Sequence, residues 1–240
     1  MRYVGSKNRI SKELAPIIQS HVDKGVVGYL EPFVGGANMI DKINHGNKHG
    51  SDIHEELIEL LKYAQVIDNP IPTSISEEEY HKVKNNKESY EKWYVGLVGF
   101  CASFRSKYFG GYTKDARGDK SCSSEDLIRS LEKQRPNLVD IKFNCCSFLD
   151  YSPNDYNGWV IYCDIPYKGT LKYSKQSFPY DQFYFWAKEM SKNNTVLISE
   201  YSMPDDFVCV WQKETKCIIG ISKNTKDKKQ DRVEKLFMVK

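Results

Sequence analysis

An eight-residue run limits the architecture more than any other stretch: Val160-Ile161-Tyr162-Cys163-Asp164-Ile165-Pro166-Tyr167. Its β-branched and aromatic residues pack well on a pleated surface, so the run is expected to be a buried central strand. Asp164 then stands at the carboxyl end of that strand, where open α/β sheets bind ligands. Pro166 has no donor for a sheet ladder and forces the chain out of it. Tyr167 projects just beyond, with a ring face for stacking. A carboxylate, neighbouring peptide carbonyls and an aromatic ring suit one flat, amine-bearing group, and a nucleobase fits.

The rest of the chain is consistent with an α/β domain carrying an insertion. Its 240 residues suffice for both. An apolar content of 40% and a charged content of 28% describe an ordinary globular protein. No run of eighteen apolar residues and no signal-peptide pattern occurs, so a chain that neither spans a membrane nor is secreted is expected. Seven cysteines without a Cys-x-x-Cys pair read as reduced thiols in a cytoplasm, with no metal site. The net charge of +3 permits a nucleic-acid partner without requiring one.

In chain order, Tyr3-Val4-Gly5-Ser6-Lys7 precedes an amphipathic helix at 8–22, which Pro16 should kink or split. Gly28 to Met39 reads as strand, glycine turn and helix, with Gly35-Gly36 letting backbone approach a ligand closely. Gly-x-Gly-x-x-Gly is absent, which argues against a nicotinamide cofactor. Asp52 ends the next strand, about 48–53, and is placed to take both hydroxyls of a ribose; the bland alternative is a helix N-cap. A helix at 55–67 follows. From 68 to 137 the texture changes: a Pro-containing linker, a polar helix opened by Ser76-Glu77-Glu78-Glu79, an aromatic helix at 90–104, a β-hairpin with its tip at Gly110-Gly111, and a helix from Ser123 or Ser124 to Pro136. Arg105, Lys107, Tyr112, Lys114 and Arg117 interleave cations with aromatic residues there. The sheet resumes at 139–146, passes through the Asp164 strand and a polar loop at 168–177, and continues with a helix at 180–191 and a strand at 195–201. It closes with antiparallel strands at 207–211 and 235–239. The lysine-rich stretch between those two reads as a solvated loop carrying Lys223, Lys226, Lys228, Lys229 and Arg232.

Asp164-Ile165-Pro166-Tyr167 resembles the catalytic Asp-Pro-Pro-Tyr of the amino-methyltransferases that modify adenine or cytosine in DNA. Glu31-Pro32-Phe33-Val34-Gly35-Gly36 and the opening Tyr-x-Gly-x-Lys resemble the Dam-like branch of DNA adenine methylases, in particular its phage and prophage members. The resemblance covers nearly the whole chain and departs at Ile165, where the family has proline. It implies a Rossmann-like S-adenosylmethionine-dependent methyltransferase sheet (1–67 and 138–240) with a helical and β-hairpin target-recognition insertion (68–137). It also implies double-stranded DNA as partner and a monomer or weak dimer. By the same resemblance Tyr3, Lys7, Pro32, Phe33, Gly35, Gly36, Asn38, Asp52 and Phe148 line the cofactor pocket with Asp164. Asp164, Ile165, Pro166 and Tyr167 hold the base, and Arg105, Lys107, Tyr112, Lys114 and Arg117 meet DNA. Cytosine N4, an RNA amine, and a DNA-binding protein of the same fold without turnover are the competing readings.

Overall fold

The computed structural model describes residues 1–113, 123–168, 178–217 and 230–240. Seven strands form one sheet: β1 (Gly28–Glu31), β2 (Lys48–Asp52), β3 (Ile141–Cys145), β4 (Trp159–Asp164), β5 (Thr195–Glu200), β6 (Phe207–Cys217) and β7 (Gln230–Val239). Their order is β3-β2-β1-β4-β5-β7-β6. The first five strands are parallel, and β7 runs antiparallel between β5 and β6. A buried parallel sheet calls for near-continuous apolar strands, and β4 meets that demand: Val160, Ile161, Tyr162 and Cys163 are all buried.

Helices cover both faces. On one lie α1 (Ser11–Val22) and α2 (Glu55–Gln65), and on the other α6 (Tyr180–Ser191). Leu57, Ile58, Leu60 and Leu61 of α2 are fully buried, each worth about 1.5–3 kcal/mol relative to exposure. Phe183, Trp186, Ala187 and Met190 of α6 pack against Ile161, Cys163 and Ile198 on the opposite face. Pro16 does not split α1, which runs unbroken from Ser11 to Val22 after a 3-10 turn at Lys7–Arg9. One proline removes a single donor, and the buried stripe of Leu14, Ile18 and Val22 holds the helix together.

The insertion supplies α3 (Glu77–Asn85), α4 (Lys92–Cys101) and α5 (Ser124–Glu132). It shares its core with the sheet: Tyr80, Val83, Leu97, Val98, Leu127 and Leu131 belong to the same apolar cluster as α2. Helix α4 lies so close to α2 that a Cβ at Gly96 would stand 2.1 Å from the Glu56 carbonyl oxygen. The helix is shorter than its aromatic stretch suggested, stopping at Cys101.

Three further expectations need correction. No α-helix follows the Gly35-Gly36 turn: residues 32–39 run through turns and only a 3-10 turn, Ile40–Lys42, comes before β2, because left-handed backbone at Gly35 and Ala37 breaks the helical path. The stretch around Gly110-Gly111 is no regular hairpin: a single antiparallel bridge joins Ser103 to Tyr112, and between them lie a 3-10 turn at Phe104–Ser106 and a further turn. Arg105, Ser106 and Phe109 there hold left-handed backbone, with φ of 54°, 54° and 45°, which breaks any ladder. The closing strands are also far longer than expected. They pair from Phe207 with Val239 to Cys217 with Gln230, so Arg232 lies in a strand rather than a loop; cross-strand pairing overrode the polar composition. Lys114, Arg117, Lys223, Lys226, Lys228, Lys229 and most of the 168–177 loop lie outside the described residues.

Candidate active site

The sheet order turns back between β1 and β4, which pair in parallel with Tyr29 beside Val160 and Leu30 beside Ile161. Ligand crevices in such sheets open at this switch point. The turn after β1 and the acid at the end of β4 therefore leave the same edge, side by side.

The glycine turn is built for close approach. Gly35 has φ +48°, and a Cβ there would meet the Tyr3 ring at 2.9 Å. A Cβ on Gly36 would stand 2.6 Å from Tyr3 Cβ and 2.7 Å from Asn38 Nδ2. Ala37 continues in left-handed backbone, φ 55°, a strain that marks functional loops more than plain connections. Gln134 Nε2 donates to the Gly36 and Ala37 carbonyls at 3.1 and 2.9 Å. Asn38 is buried, and its Nδ2 finds no acceptor among the described residues. Asp52 ties this turn to β2: Oδ2 accepts from Gly35 N at 3.2 Å and Oδ1 from His54 N at 3.0 Å. Burial raises the Asp52 pKa, against the pull of those backbone donors. Pro32 is buried at the start of the turn. Phe33 leans on Phe148 at 5.5 Å between centroids, edge-on to Phe178 and Phe183.

The opening segment reaches both halves of the crevice through one β-turn. Ser6 N donates to Tyr3 O at 3.2 Å, and Gly5 takes φ +80°, the backbone that the third position of a type II turn demands. Tyr3 is thus sent over the glycine turn while Lys7, behind the Ser6 cap, reaches Asp164. Lys7 Nζ lies 2.8 Å from Asp164 Oδ1 and 4.2 Å from the centroid of the Tyr167 ring. Burial works to lower the Lys7 pKa, but Asp164 and Glu234 outweigh it and the ammonium is held above its ordinary value. Asp164, 23% exposed at the side chain, is pushed up by burial more than Lys7 draws it down. Ile165 is buried among α6 residues. Its apolar side chain anchors the exit that a second proline would stiffen. The Pro166 carbonyl accepts from Tyr180 OH at 2.8 Å.

Two acids complete the edge without having been singled out in the sequence. Glu234, on β7, accepts from Tyr167 OH at 2.8 Å and lies 4.0 Å from Lys7 Nζ. Glu200, ending β5, accepts from Lys168 N and Tyr201 N at 3.0 and 2.7 Å. The alternation Arg232-Val233-Glu234-Lys235-Leu236 was the available signal for Glu234, masked by the lysines before it. Ser199 pairs with Tyr162 OH at 2.8 Å, and Tyr201 meets Tyr167 edge-on at 4.4 Å.

A family model described as D12 class N6 adenine-specific DNA methyltransferase matches residues 3–220. The chain belongs to that family. Comparison with curated proteins finds no match. Membership makes it an enzyme that methylates N6 of adenine in DNA, with S-adenosylmethionine implied as the family's donor, and its seven-stranded sheet is the Rossmann-like methyltransferase fold. Among the described residues, no helix is long and apolar enough to cross a membrane.

The insertion of this D12-class enzyme presents Phe104, Arg105 and Lys107 to solvent. Arg105 lies over the Phe104 ring at 5.2 Å. Tyr112 is half-buried and donates its hydroxyl to the Ile75 carbonyl at 2.8 Å, tying the loop to the linker before α3. Tyr108 OH donates to Glu56 at 3.1 Å, and its ring meets His54 edge-on at 4.4 Å, so the loop is braced against the start of α2.

Proposed function

We propose that this edge extrudes and holds one adenine of double-stranded DNA beside S-adenosylmethionine. What carries the reading is the adjacency of the Gly35-Gly36 turn and Asp164 on neighbouring parallel strands.

The residues present fit the cofactor. Tyr3 and Asn38 pack so tightly on Gly36 that no Cβ fits there, and Asn38 Nδ2 is a buried donor without an acceptor among the described residues. Tyr3, Gly35, Gly36 and Asn38 would hold the amino-acid part, Asp52 the ribose hydroxyls, and Pro32, Phe33 and Phe148 the adenine ring, with Lys7 at the border between cofactor and base. When bound, S-adenosylmethionine supplies an electrophilic methyl group on a sulfonium.

The protein's part is orientation and charge. The lone pair of an adenine amine is delocalised into its ring, which makes the nitrogen a weak nucleophile. Asp164 and the Ile165 carbonyl accept its two hydrogens, fixing the amine and localising the lone pair towards the donor side. Asp164 then balances the positive charge that develops on nitrogen, a task of positioning and electrostatics rather than strong base catalysis. Taking the base out of the duplex costs about a few kcal/mol. Stacking on Tyr167 offsets about 1–3 kcal/mol of that. Arg105 and Lys107, with Lys114 and Arg117, would contact phosphates or base edges.

The test is to express the chain and sequence the cell's DNA with modified-base detection. N6-methyladenine in one recurring word, lost with Asp164→Ala, is the expected result. N4-methylcytosine, or an Asp164→Ala protein as active as the parent, would overturn the assignment.

A further inference from the structure

We infer that Glu234 is a positioning residue of the base pocket, orienting Tyr167 and receiving the Lys7 ammonium when the base enters; this rests on the proposed function above. In the free protein Lys7 occupies the two contacts an extruded adenine needs. Its Nζ is hydrogen-bonded to Asp164 at 2.8 Å, where an exocyclic amine would donate, and stands 4.2 Å from the Tyr167 ring centroid, where a base would stack. An ammonium and a stacked base cannot share that ring face, and both draw on the same carboxylate, so Lys7 has to shift as the base arrives.

It cannot leave unpaired. Lys7 is 9% exposed, and a buried ammonium stripped of its carboxylate is strongly disfavoured. Glu234 Oε2 lies 4.0 Å from the Lys7 ammonium. A shift of about 1 Å closes that gap to an ionic hydrogen bond. The same oxygen already accepts from Tyr167 OH at 2.8 Å, so the ring and the displaced cation are held by one carboxylate. Strand β7 delivers it because Lys235 pairs with Glu200 at the end of β5, which places Glu234 one residue further on, above the crevice. The exchange keeps Lys7 neutralised throughout and leaves Asp164 open to the amine.

The experiment measures N6-methyladenine formation on unmethylated plasmid DNA with enzyme in excess, for the full chain and its variants. Glu234→Gln keeps an acceptor for Tyr167 but removes the charge, and is expected to slow transfer about tenfold while the enzyme concentration that half-saturates the DNA stays within about twofold. In a Lys7→Gln background, which has no ammonium to rehouse, the same substitution is expected to change the rate less than about twofold. Glu234→Asp, which retains the charge, should stay within about threefold of the parent. An equal Glu234→Gln loss in both backgrounds, no loss at all, or a Glu234→Asp protein as slow as Glu234→Gln would overturn the inference while leaving the methylation reading intact. A parent protein that forms no N6-methyladenine would overturn both.

Discussion

Lys7 and Asp164, 157 residues apart in sequence, meet at 2.8 Å on the carboxyl edge of the sheet. The pair binds the chain's opening turn to its central strand, and it couples the charge of Asp164 to the Lys7 ammonium. The acid limb of activity should follow from this. Burial holds the Asp164 carboxyl above its ordinary value and Lys7 pulls it down. In the proposed role Asp164 balances the developing charge only when ionised, so the methylation rate is expected to fall as pH drops through a value above the usual aspartate pKa. Lys7→Gln removes the downward pull and should move that limb to higher pH. A rate–pH profile on plasmid DNA checks both, and an acid limb that moves down in Lys7→Gln would refute the coupling.

Asp164→Ala should lower kcat by about 10²–10³, the scale for losing one preorganised electrostatic contact. Cofactor affinity should change little by comparison. Single-turnover rates and calorimetry with S-adenosylmethionine separate the two.

The glycine turn gives a different signature. Gly36→Ala would press a methyl into Tyr3 Cβ and Asn38 Nδ2, at 2.6 and 2.7 Å. Displacing Tyr3 should weaken S-adenosylmethionine binding by about tenfold or more, equivalent to about 1.4 kcal/mol. Titration calorimetry reads this directly, and unchanged affinity would remove Gly36 from the pocket.

Glu31 offers a test by stability. It is 3% exposed, and burial, with a smaller opposing pull from the Tyr29 hydroxyl that donates to it at 2.6 Å, raises its pKa well above the ordinary glutamate value. A raised folded pKa contributes stability that is present below the unfolded value and lost as pH rises towards the folded one. Glu31→Gln has no such loss. The variant should match the parent near pH 4 and gain on it by about 1.4 kcal/mol per pH unit above the unfolded pKa, until the folded one is reached. Urea denaturation at pH 4 and pH 7 measures the gap.

Gly96→Ala probes the seam between the insertion and the sheet domain. The added methyl would lie 2.1 Å from the Glu56 carbonyl, a backbone atom that cannot rotate aside. Forcing α4 off α2 should cost about 1–3 kcal/mol or more, read as a lowered denaturation midpoint.

Much of this site could be read from the order of residues alone. The run Val160 to Asp164 had to be a buried strand ending on an acid, because its apolar continuity leaves no solvated face. Gly35-Gly36 after a short strand announced a glycine turn, and Asp52 fell where a second strand would end. These are local signals, written within a few neighbouring residues. Pairing across the chain is not local. Nothing near Lys7 says that it meets Asp164, since that contact depends on the turn at Gly5 and on β4 lying beside β1. Glu234 looked like one more charge in a basic stretch until β7 was laid between β5 and β6, and the Gly110-Gly111 loop looked like a hairpin until left-handed residues broke its ladder. Strand order and register decided which charges share a crevice, because a carboxylate acts over a few ångströms of space and is indifferent to its distance along the chain.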